Sequence, residues 1–286
     1  MAKSPSHQLG ELIGGFFEAA MIRYLNPIVA AKGYYLDYRH PRPARDNRRE
    51  VIGIDYNGNR HKLDIVVEKG GSETVFGAPK AFIEMAWRRY VKHSKNKVQE
   101  IAGAILPLVE RHAMETPFYA AVLAGEFTDN ALTQLRSQGF YVLYFRYEEI
   151  RRLFGTVGLS IQWEETTSEA ELRSLAEAFQ ALDETMTEQL FEHFFSMYRE
   201  PLEGLTQALC DALDTVVSEV VVVPIHGITQ ALASVTEAVE FILDYDETST
   251  APILRYEITV RYNNGEEFTM KCGNKNKAIQ FLNRYR

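Results

Sequence analysis

The stretch "AFIEMAWRRYVKHSKNK", residues 81–97, begins as a buried strand and ends as a run of positive charge. Glu84 stands where an apolar residue belongs, between Ile83 and Met85. Arg88, Arg89, Lys92, Lys95 and Lys97 then follow with no acid among them. A carboxylate in such a strand is either a solvated edge residue or a ligand for a metal ion beside a polyanion.

Working outward, "EVIGIDYNGNRHKLDIVVEKGG" (50–71) holds two β-rich runs flanking Asn57-Gly58. Asn-Gly accepts the positive φ of a type I′ turn, which predicts a hairpin. In its second run the alternation sets Leu63, Ile65 and Val67 on one face and Lys62, Asp64, Val66 and Glu68 on the other. A third strand covers about 80–88, and a helix begins near Ser94 or Asn96. "PFYAAVLAG" and "FYVLYFRY" read as buried strands on either side of a short helix. Before the hairpin, apolar residues from Leu9 to Leu25 fall at helical spacing, with Pro27 predicted to break the helix. Glu11 and Glu18 share one stripe of it, and "YYLDY" leads into a basic loop. The predicted order to residue 147 is α-β-β-β-α-β-α-β.

Residues 168–215 read as acidic helix, broken at Pro201. After them "EVVVVPI" restarts a strand, "TQALASVTEAVEFILDY" is helical, and a hairpin at Asn264-Gly265 precedes a last helix. The predicted organisation is therefore a domain over 1–160, a helical acidic segment over 161–215 and a small α/β domain over 216–286.

The chain has 286 residues, 46% hydrophobic and 24% charged, the composition of an ordinary globular protein. No apolar run reaches the ~18 residues of a membrane helix, and the first residues lack a signal-peptide design. Two cysteines without a CxxC exclude a zinc ribbon and fit a reducing cytoplasm. The net charge of −8 argues against nucleic acid, but its distribution does not. "RHPRPARDNRRE" (39–50) carries five arginines against two acids, and 87–97 carries five cations. These segments are either phosphate-binding surfaces or plain solvated ones.

This strand order, with Asp64 on the second strand and Glu84 on the third, resembles the PD-(D/E)XK nuclease superfamily over about the first half of the chain. The resemblance implies a restriction-endonuclease-like α/β core, a central mixed sheet flanked by helices. It also implies an Mg²⁺- or Mn²⁺-dependent endonuclease acting on DNA, in restriction or defence, and a homodimer. Asp64 and Glu84 would be catalytic metal ligands, with Glu18 or Glu11 as the helix glutamate. The chemistry suits those residues: phosphodiester hydrolysis calls for a hard cation, and Mg²⁺ is held by one or two carboxylates plus substrate phosphates. Two carboxylates brought together repel unless a cation joins them.

The sequence departs from the family at Ala86, where a lysine belongs. Lys97 or Lys95, from the helix that follows, would take its place in catalysis. Arg88, Arg89, Lys92, Arg48 and Arg49 are the expected phosphate contacts. The alternatives are a non-catalytic nucleic-acid-binding module, or a subunit whose partner carries the activity. His93, His112 and His226 have no paired spacing and read as surface or capping residues, and the aromatic run at 191–198 reads as a packing seam.

Overall fold

Apolar residues at helical spacing build α1 (Pro5–Ala31), which buries Leu9, Ile13, Phe17, Met21, Leu25 and Val29 along one side. The computed structural model describes residues 4–225, 229–248 and 253–283. Pro27 lies inside α1 and does not end it. A proline in a helix interior costs about 3 kcal/mol or more. Here it sits on the exposed side, while the fully buried Leu25 and Val29 hold the last turns in place.

"YYLDY" is β1 (Tyr34–Tyr38), a strand and not the lead-in to a loop. The predicted hairpin forms from β2 (Val51–Ile54) and β3 (Arg60–Leu63). Its turn is not type I′, since Gly58 takes a positive φ (83°) and Asn57 does not. A five-residue loop results, held by Asp55, whose Oδ1 accepts from the backbone N–H of Asn57 and Asn59. Beyond Asp64 run β4 (Ile65–Lys69) and β5 (Ala78–Arg88). A helix α2 (Ser94–Arg111) follows, then β6 (Phe118–Gly125), α3 (Asp129–Ser137), β7 (Tyr141–Arg146) and α4 (Tyr147–Gly155).

Among the described residues the first region forms a five-stranded mixed sheet in the order β1-β4-β5-β6-β7. β1, β4 and β5 pair antiparallel; β5, β6 and β7 pair parallel. The hairpin β2–β3 has its own two-stranded ladder outside this sheet. The single strand expected over 60–69 is therefore interrupted, and Asp64 belongs to neither ladder. This interruption resets the alternation. Leu63 and Val66, expected on opposite faces, enter one core cluster with Phe82, Val98, Ile101 and Leu108.

On the other face, Phe17 of α1 stacks on Phe145 of β7 (5.6 Å) and Phe16 meets Phe154 of α4 (5.2 Å). The acidic helices are α5 (Glu169–Gln180), α6 (Glu184–Met197) and α7 (Arg199–Leu213). Pro201 lies in the first turn of α7, where a missing N–H costs little, and the break falls at Tyr198. The aromatic run at 191–198 packs within the chain: Phe194 touches Phe16, Phe17 and Phe145.

By contact the chain divides into two compact units, Met1–His112 with Pro117–Cys210, and Ala113–Thr116 with Asp211–Arg286. The acidic helices, read from the sequence as a separate segment, thus fall up to Cys210 in the unit of the five-stranded sheet. The second unit carries β8 (Val217–Pro224), β9 (Gln230–Leu232), α8 (Val235–Asp244), β10 (Tyr256–Tyr262), β11 (Glu267–Cys272) and α9 (Lys275–Leu282). Its sheet runs β11-β10-β8-β9, antiparallel throughout, around a core that includes Val220, Val222, Ile258 and Phe281. Residues 230–232, expected to be helical, are strand β9. No described helix is long and apolar enough to cross a membrane.

Candidate active site

The register places the two acids. Ile65 of β4 pairs with Ile83 of β5 in antiparallel sense, so Asp64, one residue earlier, comes opposite Glu84. Each carboxylate accepts from a backbone N–H of the opposite segment. Glu84 Oε1 accepts from Asp64 N–H (3.2 Å), and Asp64 Oδ2 accepts from Met85 N–H (2.7 Å). This mutual clasp forms because Asp64 leaves the ladder and its backbone is available to a side chain.

Glu84 is 7% exposed, and its carboxyl is pushed up to about 8, first by burial and then by the charge of Asp64. Asp64 is half-buried and is also raised, mainly by burial; the Met85 N–H and Lys97 oppose the shift. Lys97, on the first turns of α2, acts electrostatically on both carboxylates. Its ammonium, however, pairs with Glu100, at 3.0 Å. Among the described residues no ion pair reaches Asp64 or Glu84. Two buried acids thus face each other without a cation between them.

Glu18 of α1 borders the same cavity as Asp64, about 440 Å³ in volume, and is raised by burial and by the charge of Asp64. Glu11 lies on that cavity too but is half-exposed and pairs with His7 (3.3 Å). Among the described residues no three His, Cys, Asp or Glu side chains converge closely enough to cage an ion. The donor chemistry nevertheless fits Mg²⁺ or Mn²⁺: Asp64 and Glu84 offer hard carboxylate oxygens, and water would complete the shell. The uncompensated Asp64–Glu84 pair is what such an ion would relieve.

The cations divide into two kinds. Arg89 is committed to the fold: its Nε donates to the Trp163 carbonyl (3.1 Å), its Nη2 lies 3.2 Å from Glu164, and its guanidinium lies 4.1 Å from the Tyr147 ring centre. It fastens the 161–165 segment and also borders the cavity that Arg88 and Lys92 line. Lys92 pairs with Glu165 on the surface. Arg88 donates to the Trp87 carbonyl (2.8 Å) and borders a larger cavity of about 780 Å³, together with Lys92, Lys97 and Glu100. Arg48 and Arg49 are exposed, their carbonyls held by Arg45. Lys95 is exposed and lies outside these cavities, which leaves Lys97 as the lysine at the carboxylates.

Ala86, at the family's lysine position, is 7% exposed and packed in the core cluster of α2. Glu100 is the member of the site that sequence reasoning missed; its i, i+3 spacing from Lys97 is the signal that finds it. His112 directly follows the end of α2, half-buried against Phe82 and shifted down by burial; His226 and the His93 side chain lie outside the described residues. Searches of known protein families, of curated proteins and of solved structures found no match.

Proposed function

We propose that the chain is a metal-dependent endonuclease that hydrolyses DNA phosphodiester bonds, with restriction or defence as its setting. The observation that carries this reading is the Asp64–Glu84 pair, buried, face to face and without a cation. A charged carboxylate pair costs stability unless something neutralises it, so a site of this kind is a poor structural element and a good ligand set. The sheet agrees at the coarse level: a central mixed sheet flanked by helices is what the resemblance implies.

In this reading Asp64 and Glu84 hold the ion, which when bound supplies polarisation of the phosphoryl oxygen and a stronger water nucleophile. Lys97 turns from Glu100 toward the scissile phosphate, where its ammonium orients the attacking water and offsets developing charge. Glu100 holds Lys97 in register until substrate arrives. Arg88 and Lys92, on the wall of the larger cavity, meet the flanking phosphates.

The test is supercoiled plasmid incubated with Mg²⁺, Mn²⁺ or EDTA, alongside Asp64→Asn. Metal-dependent nicking or linearisation, absent in the variant, is the expected result. Salt-sensitive DNA binding without any cleavage would replace the enzyme by a non-catalytic binding module.

A further inference from the structure

The hairpin β2–β3 and the 70–77 loop enclose a second cavity of about 430 Å³. Its floor is apolar, formed by Leu63, Val66, Phe82 and Leu108. Phe76, 58% exposed, makes one lip, and the exposed Arg48 and Arg60 stand on the rim. The acids that line it are already paired: Asp37 with Arg42 and Arg45, Glu68 with Arg42, and Glu50 with Lys62. The groove is therefore apolar beneath and cationic above.

It also adjoins the catalytic side through shared walls. A smaller cavity reaching Glu18, Arg39 and Asp64 shares Glu50, Val51 and Leu63 with the groove. β3 leads directly from Arg60 to Asp64, four residues or ~13 Å at ~3.3 Å per residue.

Resting on the nuclease reading, we propose that this groove takes one base of the DNA strand, stacked on Phe76, with neighbouring phosphates at Arg48 and Arg60. A base offers a π-face to an aromatic lip, and every base does so, which makes the contact tolerant of sequence. Two cations stand on the rim, Arg60 and Arg48, the latter in an exposed pair with Asp46 (3.7 Å) that a phosphate would displace; an acyl carboxylate would bring one charge. A gap of ~13 Å along the strand places the base away from the scissile bond itself. A base must leave its stack to enter, so an unpaired or mismatched base at that position is favoured.

Two measurements on the full chain test this, both with Asp64→Asn to prevent turnover. In the first, deoxynucleoside monophosphates and decanoate are titrated separately and followed by NMR. In the second, an abasic residue is moved along a duplex about the cleavage position, and affinity is read by anisotropy. Nucleotide binding that Phe76→Ala abolishes and Phe76→Trp keeps is expected, with unchanged melting temperatures. The abasic duplex is expected to lose about tenfold in affinity at one position and little elsewhere. A flat scan, or decanoate binding in place of nucleotides, overturns the proposal. Nucleotide binding at Phe76 in a protein that never cuts DNA keeps the groove and sinks the nuclease reading; metal-dependent cleavage with a flat scan does the reverse.

Discussion

Two groups of charge lie at opposite ends of β4 and have opposite character. At one end, Arg42 is fully buried and bonded to Asp37 (2.6 Å) and Glu68 (2.8 Å), with Arg45 also on Asp37. Arg42 further donates to the carbonyls of Ser72 and Val75, so every charge has a partner. At the other end, Asp64 and Glu84 share backbone N–H donors and no cation. Completed networks fasten loops. Incomplete ones mark where something else binds, and burial alone would not have told the two apart.

The sharpest break in this contrast comes from removing the incomplete pair. Asp64→Asn or Glu84→Gln should take cleavage below detection while the far-UV spectrum and melting transition persist. Either variant cutting plasmid at the wild-type rate would remove the site from consideration. Arg42→Met should do the opposite. Breaking a buried ion pair by removing one partner costs about 3–5 kcal/mol, because it strands the other charges. Urea unfolding should show that loss, and a change under about 1 kcal/mol would mean the network is dispensable.

The pH dependence of stability reports on the incomplete end. Glu84 has a folded-state value of about 8 against 4.5 for an ordinary glutamate. Its stability contribution is present in full below pH 4.5 and is lost as pH rises toward 8, since ionising it in the fold costs more than in the unfolded chain. The slope approaches ~1.4 kcal/mol per pH unit for one such group, in metal-free buffer. Glu84→Gln should flatten the curve between about pH 5 and 8, and Mg²⁺ should do the same for the wild type. A wild-type curve already flat in EDTA would contradict the uncompensated pair.

Lys97→Ala should lower turnover by about 10²-fold with DNA affinity little changed, the scale of a positioned acid–base group. Lys95→Ala should leave turnover within a factor of two or so, and equal losses in both variants would disprove the assignment. The smallest effect is on salt dependence. Each phosphate that is no longer neutralised flattens the slope of log affinity against log salt by about 0.9 on duplex DNA. Arg88→Ala and Arg49→Ala should each do so. Arg89→Ala should instead lower the melting temperature, because its partners are the Trp163 carbonyl and Glu164.

Much of this was legible in the chain. The apolar runs "PFYAAVLAG" and "FYVLYFRY" give β6 and β7, and an acid inside an apolar strand points to Glu84 before the fold is known. What was hidden depended on long-range pairing. "YYLDY" is too short and too polar to announce itself as an edge strand, and only pairing with β4 makes it one. Arg42 and Arg45 look like any surface arginines in a basic run until Asp37 and Glu68, 5 to 26 residues away, close around them. The same holds for Arg89, whose partners lie over seventy residues on. The offset at Asp64 could not be read from periodicity, because it requires leaving one ladder and entering another.

The separate ladder of β2–β3 has a consequence for how such a protein can change over time. Insertions or deletions in this ribbon move no residue of β4 or β5, because its four pairings end at Val51–Leu63 and the five-stranded sheet resumes at Ile65. The tip can be lengthened, shortened or exchanged, and the carboxylates keep their register. In the proposed nuclease, diversification of what the protein touches would be uncoupled from its chemistry, and grafting a foreign hairpin between residues 51 and 63 is the natural starting point for redirecting it.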